Sequence, residues 1–204
     1  MKLRYNHLFN YKNYLKSILG KNNENSLYLF KSGRYSLYFG LTKILEKNKK
    51  LRTILLPNLI CDEIIAVFQL LNLEVKYYQL KDDLNPDLIS IKNLLSKGNS
   101  ILFVVNYFGF PSDWDTLNSI KEEFNCIMIE DNAHSLYSSY KNKKLGSFGD
   151  ISFNSLRKTL PLLSGSELCF NNINCQDESI YKYSARFPNF KEIKYSLRQF
   201  KLKQ

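Results

Sequence analysis

An aspartate and a lysine, Asp131 and Lys158, each stand just past a short apolar run. Asp131 follows Cys126-Ile127-Met128-Ile129 within the tract Ile129-Glu130-Asp131-Asn132-Ala133-His134-Ser135, and Lys158 closes Ser155-Leu156-Arg157-Lys158 beyond the strand-like Ile151-Ser152-Phe153-Asn154. In an open α/β sheet, ligands gather outside the carboxyl ends of the strands. An acid and a lysine placed there can face one ligand. Pyridoxal 5'-phosphate is a cofactor that needs this pair. An aspartate keeps its pyridine nitrogen protonated, and a lysine carries its aldehyde as a Schiff base.

Three further signals surround the pair, and each has a plainer alternative. Ser155 stands three residues before Lys158, where a hydroxyl can bind a phosphate held beside the lysine. The same Ser-x-x-Lys spacing occurs in penicillin-binding proteins, but the accompanying Ser-Asp-Asn and Lys-Thr-Gly elements are missing from this chain. Ser32-Gly33 opens a helix, and its free N–H groups and positive dipole end suit a phosphate. Simple capping explains a serine there equally well. His134, three residues after Asp131, can lie near a cofactor ring or its phenolic oxygen, or be an ordinary histidine. Taken alone, Asp131 also reads as a helix cap and Lys158 as a surface lysine.

These residues need elements to position them, and the pattern supplies a β-α-β alternation. A helix is expected from Ser32 to about Asn48, with Tyr35, Leu37, Tyr38, Leu41 and Leu45 on its apolar stripe. Strands are expected at 52–56, 74–80, 101–105, 126–129, 150–154 and 167–171, and helices at 62–71, 85–98 and 114–124. Residues 21–26 and 106–111 read as loops. Ile101 to Val105 is continuously apolar, as a strand buried on both faces requires. The alternation predicts a three-layer α/β fold, a mostly parallel sheet with helices on both faces, and right-handed crossovers put the loops after successive strands on one edge.

The bulk numbers agree with one folded domain: 204 residues, 44% hydrophobic. The net charge of +10 is uneven. Residues 1–53 hold 12 Lys+Arg and 2 Asp+Glu, residues 54–150 hold 8 and 13, and residues 151–204 hold 9 and 4. The motif-bearing centre is therefore acidic. The basic ends fit a solvated surface better than a nucleic-acid partner, since no recognised binding motif accompanies them. Cys61, Cys126, Cys169 and Cys175 form no CxxC pair, and neither His7 nor His134 has zinc-ligand spacing. No metal is expected, and a reducing compartment fits. The first residues lack the apolar core of a signal peptide, and no run approaches the roughly 18–20 residues needed to span a bilayer. A soluble, cytoplasmic protein is expected, with no membrane partner.

From about Tyr28 to Asn171 the chain resembles the large domain of DegT/DnrJ/StrS-type aminotransferases, fold-type I pyridoxal phosphate enzymes acting on nucleotide-linked keto sugars. The matching stretches are Ser32-Gly33-Arg34, Leu56-Pro57 with Cys61-Asp62-Glu63, and Asn106-Tyr107-Phe108-Gly109-Phe110-Pro111. They continue with Glu130 to Ser135, Gly146-Ser147-Phe148-Gly149-Asp150, and Ser155-Leu156-Arg157-Lys158. The resemblance implies that Asp131 partners the pyridine nitrogen and that His134 lies toward the ring oxygen. It implies that Lys158 is the cofactor lysine and proton shuttle, and that Ser155 with Ser32 and Gly33 binds the phosphate. An amino group from a donor, glutamate first, would pass to a nucleotide sugar destined for surface polysaccharide, in a homodimer. In related sugar dehydratases a histidine replaces the lysine, so Lys158 implies transfer. The implied organisation is an N-terminal segment 1–27, a cofactor-binding domain 28–171 and a basic extension 172–204, without the family's smaller C-terminal domain. The alternative is a truncated, catalytically silent remnant retaining only the fold or cofactor binding. Two stretches depart from the family: Leu59 stands where an aromatic residue is usual, and Leu163-Ser164-Gly165-Ser166 where an acid and paired glycines are.

Overall fold

The apolar runs become the inner strands of one seven-stranded sheet. The computed structural model describes residues 26–96, 98–160, 162 and 164–173. The 1–25 part of the N-terminal segment, with His7, and the C-terminal extension beyond 173, with Cys175, lie outside the described residues. The strands are β1 (Ser26–Phe30), β2 (Thr53–Pro57), β3 (Glu74–Tyr78), β4 (Ser100–Val105), β5 (Ile127–Asn132), β6 (Ser139–Tyr140), β7 (Lys143–Lys144), β8 (Ile151–Asn154) and β9 (Ser166–Phe170). The main sheet runs in the order β1-β9-β8-β5-β4-β2-β3. From β8 through β5, β4 and β2 to β3 all pairings are parallel, and β9 is antiparallel to both β8 and β1. The expected mostly parallel α/β sheet is the observed one.

The α-helices are α1 (Gly33–Lys47), α2 (Asp62–Leu70), α3 (Leu88–Leu94), α4 (Trp114–Phe124) and the short α5 (Leu156–Thr159). Strand side chains alternate between faces, and the two cores divide accordingly. Phe103, Ile129, Ile151 and Phe153 pack with Leu37, Leu41 and Ile44 of α1 and with Ile64, Val67 and Phe68 of α2. Leu102, Val104 and Met128 pack on the other face with Ile91 of α3 and with Trp114, Leu117 and Ile120 of α4. At Gly40 an added Cβ would lie 2.8 Å from Ile151 and 3.1 Å from Leu168, so α1 sits closer to the sheet there than a side chain permits.

Several expectations change in detail. The buried stripe of α1 is Ser36, Leu37, Gly40, Leu41 and Ile44; Tyr35 and Tyr38 face outward, 60% and 43% exposed. The 3.6-residue turn keeps positions 37, 41 and 44 on one side and carries the two tyrosines off it. The helix expected from residue 85 is shorter. Asp87 caps α3 by accepting from the Ile89 N–H, while Pro86 pairs with Leu80 in an isolated bridge. Ser26, expected in a loop, begins β1, whose partner β9 lies about 140 residues away in sequence. The β6–β7 hairpin was not expected. Its two turn residues, Lys141 and Asn142, both have positive φ (47° and 63°), as a tight hairpin turn requires.

Candidate active site

Two adjacent carboxylates near the end of β5 point to opposite faces. Glu130 and Asn132 project toward the α3/α4 side, and Asp131 projects toward the α1/α2 side, beside Phe153 in register. Asp131 is 6% exposed. Its Oδ1 accepts from the Ala133 N–H at 2.8 Å; among the described residues Oδ2 accepts no hydrogen bond. Burial pushes the carboxyl up to about 6, while the Ala133 N–H and then the charge of Lys158 pull in the opposite direction. The lysine is thus close enough to act electrostatically on Asp131.

Lys158 lies in α5, the single turn that follows β8, and its amine is exposed. Nζ lies 3.0 Å from His134 Nε2. Partial burial and then the lysine's charge lower the histidine's pKa below its ordinary value, favouring neutral imidazole. Ser155, 7% exposed, precedes α5, and its hydroxyl has no hydrogen-bond partner among the described residues. Gly33 reaches the same corner. A Cβ added there would lie 3.3 Å from the Phe153 ring and 3.7 Å from the Asn154 carbonyl oxygen. The start of α1 therefore abuts the end of β8, one residue before Ser155. Ser32 stands at the N-cap position with extended backbone, but its hydroxyl makes no capping bond, and the first turn carries no acid. That departs from the capping alternative and, among the described residues, leaves the first N–H groups of α1 without a capping side chain. The structure thus brings Asp131, His134 and Lys158 together, and Ser32, Gly33 and Ser155 into the corner beside them.

Sequence reasoning assigned no role to four residues that shape this edge. Asn106, 1% exposed, donates through Nδ2 to Glu130 Oε1 (3.2 Å) and Asn132 Oδ1 (2.7 Å), and accepts at Oδ1 from the Ser112 N–H (3.0 Å). Tyr107 donates its phenol to the Leu59 carbonyl, joining the loops after β4 and β2. Burial and the charge of Asp131 both hold that phenol well above its ordinary pKa. Phe108 lies parallel to the His134 ring, at 1° with centroids 5.9 Å apart. Glu130, 0% exposed, accepts from the N–H groups of Gly146 (2.6 Å), Phe148 (3.0 Å) and Gly149 (3.2 Å). The available signals were an acid inside an apolar strand and an aromatic pair at a strand end.

The model of the DegT/DnrJ/EryC1/StrS aminotransferase family matches residues 66–167, half of the chain. A relative described as UDP-4-amino-4,6-dideoxy-N-acetyl-beta-L-altrosamine transaminase from Campylobacter jejuni is 29% identical over 104 residues, covering 48% of this chain and 28% of that protein. Two solved structures share the fold. One is Helicobacter pylori PseC, an aminotransferase involved in the biosynthesis of pseudoaminic acid (TM-score 0.66, 18% identity, 95% of this chain and 56% of that one). The other is E. coli GDP-4-keto-6-deoxy-D-mannose-3-dehydratase with bound hydrated pyridoxal phosphate (TM-score 0.66, 22% identity, 83% and 43%). The matched stretches span between 20% and 28% of the length of the first curated relatives.

Proposed function

The chain belongs to the DegT/DnrJ/EryC1/StrS aminotransferase family, and from that premise we propose that it is the cofactor-binding part of a pyridoxal 5'-phosphate-dependent sugar aminotransferase. The proposed reaction moves an amino group from an amino acid, glutamate first, to the keto carbon of a nucleotide-linked sugar for surface polysaccharide. We place the cofactor domain at 28–171, between the N-terminal segment 1–27 and the basic extension 172–204. We assign the protein to the cytoplasm and to a homodimer. No helix among the described residues is long and apolar enough to cross a membrane.

The observation that carries this reading is a buried carboxylate whose Oδ2 accepts no hydrogen bond from the described residues, beside a lysine–histidine pair. The residues fit the cofactor. Asp131 offers an acceptor to a protonated pyridine nitrogen, and a cation there would favour its ionised form. The Ser155 hydroxyl, which has no partner among the described residues, and the N–H groups at Ser32 and Gly33 suit a phosphate. When bound, the cofactor supplies an electron sink for negative charge at the reacting carbon. Lys158 Nζ would be the amine that holds the cofactor's aldehyde. Once the donor's amino group has replaced it there, the freed amine would take a proton from the donor's α-carbon and later return one to the acceptor's former keto carbon. His134 holds Nζ through the 3.0 Å contact. A lysine at 158 supports transfer over dehydration among the family's sugar chemistries.

The test is an absorbance titration with pyridoxal 5'-phosphate. A visible band is expected that glutamate converts and borohydride removes, and that Lys158→Ala never shows. No band in the wild type would favour a remnant that keeps only the fold. A band that glutamate leaves unchanged would retain cofactor binding and reject amino transfer.

A further inference from the structure

Phe108 adopts a backbone conformation that bulky residues rarely take, with φ 53° and ψ 20°. Its ring is 69% exposed, so burial does not offset the strain. What the conformation achieves is the parallel contact with His134, at 1° and 5.9 Å. That lies within the range of favourable ring pairs.

The turn that carries Phe108 is anchored on both sides. The Asn106 N–H donates to the Asp131 carbonyl at 3.1 Å, and the Phe110 N–H to the Tyr107 carbonyl at 2.9 Å. The Tyr107 phenol holds the Leu59 carbonyl. Gly109, at φ 88°, packs so tightly that a Cβ would lie 3.2 Å from the His134 carbonyl oxygen and 3.2 Å from Ser138 Oγ. The contacts run onward from the ring, since His134 Nε2 is 3.0 Å from Lys158 Nζ.

We propose that Phe108 is a positioning residue whose ring fixes the plane of His134 and, through His134, the direction of the Lys158 amine. Strain maintained at an exposed aromatic beside a reactive lysine is what such a role demands. The proposal rests on Lys158 being the cofactor lysine. It accounts for a strained phenylalanine where asparagine or glycine would fit more easily.

The chain has two histidines, His7 and His134, so His7→Gln leaves one imidazole to follow by NMR. In protein without added cofactor, the carbon-bound ring protons of His134 should be shifted upfield by Phe108. Phe108→Tyr should keep that shift and Phe108→Ala should lose it, without lowering the unfolding temperature. With pyridoxal 5'-phosphate and borohydride, labelling of Lys158 should slow about tenfold in Phe108→Ala and recover in Phe108→Tyr. Unchanged His134 ring shifts in Phe108→Ala, or a labelling rate within about twofold of wild type, would overturn the proposal. If wild type is never labelled at Lys158, the cofactor reading fails and the lysine half of the proposal with it. The ring shifts would still decide whether Phe108 holds His134.

Discussion

Glu130 and Asp131 are neighbours on one strand, yet the protein treats their carboxylates in opposite ways. Glu130 is enclosed by three backbone N–H groups and the Asn106 amide. Burial raises its pKa, and those hydrogen bonds work against the rise. Among the described residues Asp131 has one N–H donor, and its other oxygen accepts no hydrogen bond. A carboxylate whose acceptor sites are filled serves the fold. A buried one left half-satisfied costs stability and keeps an acceptor available to a ligand. The Gly146-Ser147-Phe148-Gly149-Asp150 tract belongs to the first kind. Its N–H groups hold Glu130, while Asp150 accepts from the Met128 N–H (2.8 Å) and pairs with Lys121 (2.5 Å).

The strongest way to break this contrast is to empty the filled site. Glu130→Ala leaves three N–H donors without their acceptor and should destabilise the protein by about 3–5 kcal/mol in denaturant unfolding. A loss under about 1 kcal/mol would deny Glu130 its scaffold role. Next comes Gly149→Ala. Its Cβ would meet the Ile151 carbonyl oxygen at 2.7 Å and the Glu130 N at 2.9 Å, and a loss of about 1–3 kcal/mol is expected from backbone that must shift.

Asp131→Asn should act with the opposite sign. An acid raised to about 6 binds its proton more tightly when folded than when unfolded. Its contribution to stability is therefore present at low pH and is lost as pH climbs from about 4 through about 6. Above that window the asparagine variant, without cofactor, should be more stable than wild type by about 1–3 kcal/mol, and the gap should close below about pH 4. Equal stability across the whole range would mean that Asp131 bears no desolvation penalty. The smallest effect on the fold is expected from Ser155→Ala. Unfolding should change by less than about 0.5 kcal/mol, while affinity for pyridoxal 5'-phosphate falls roughly tenfold with the loss of one charge-assisted hydrogen bond.

The same contrast explains what the sequence made legible. Ile101 to Val105 and Cys126 to Ile129 read as strands because both faces of the inner strands are covered, which demands unbroken apolar runs. Asp131 and Lys158 were visible because each breaks such a pattern at its end. Glu130 was hidden by its proximity to Asp131, since spacing does not say which of two adjacent acids finds donors. Strand β1 depends on β9 across about 140 residues, and no local signal encodes that pairing. Ser32 stands where a capping serine would, yet its hydroxyl does not cap. Phe108 lay in a tract that matched the family, but only φ and the His134 contact show what its ring does.

The central claim is that Asp131 and Lys158 serve one bound ligand. Borohydride reduction with limiting pyridoxal 5'-phosphate, followed by peptide mapping, tests it directly in a chain with 23 lysines. The account predicts that the label sits on Lys158 and falls at least about tenfold in Asp131→Asn, while other lysines stay unlabelled. Label scattered over surface lysines, or a Lys158 signal indifferent to residue 131, would contradict it.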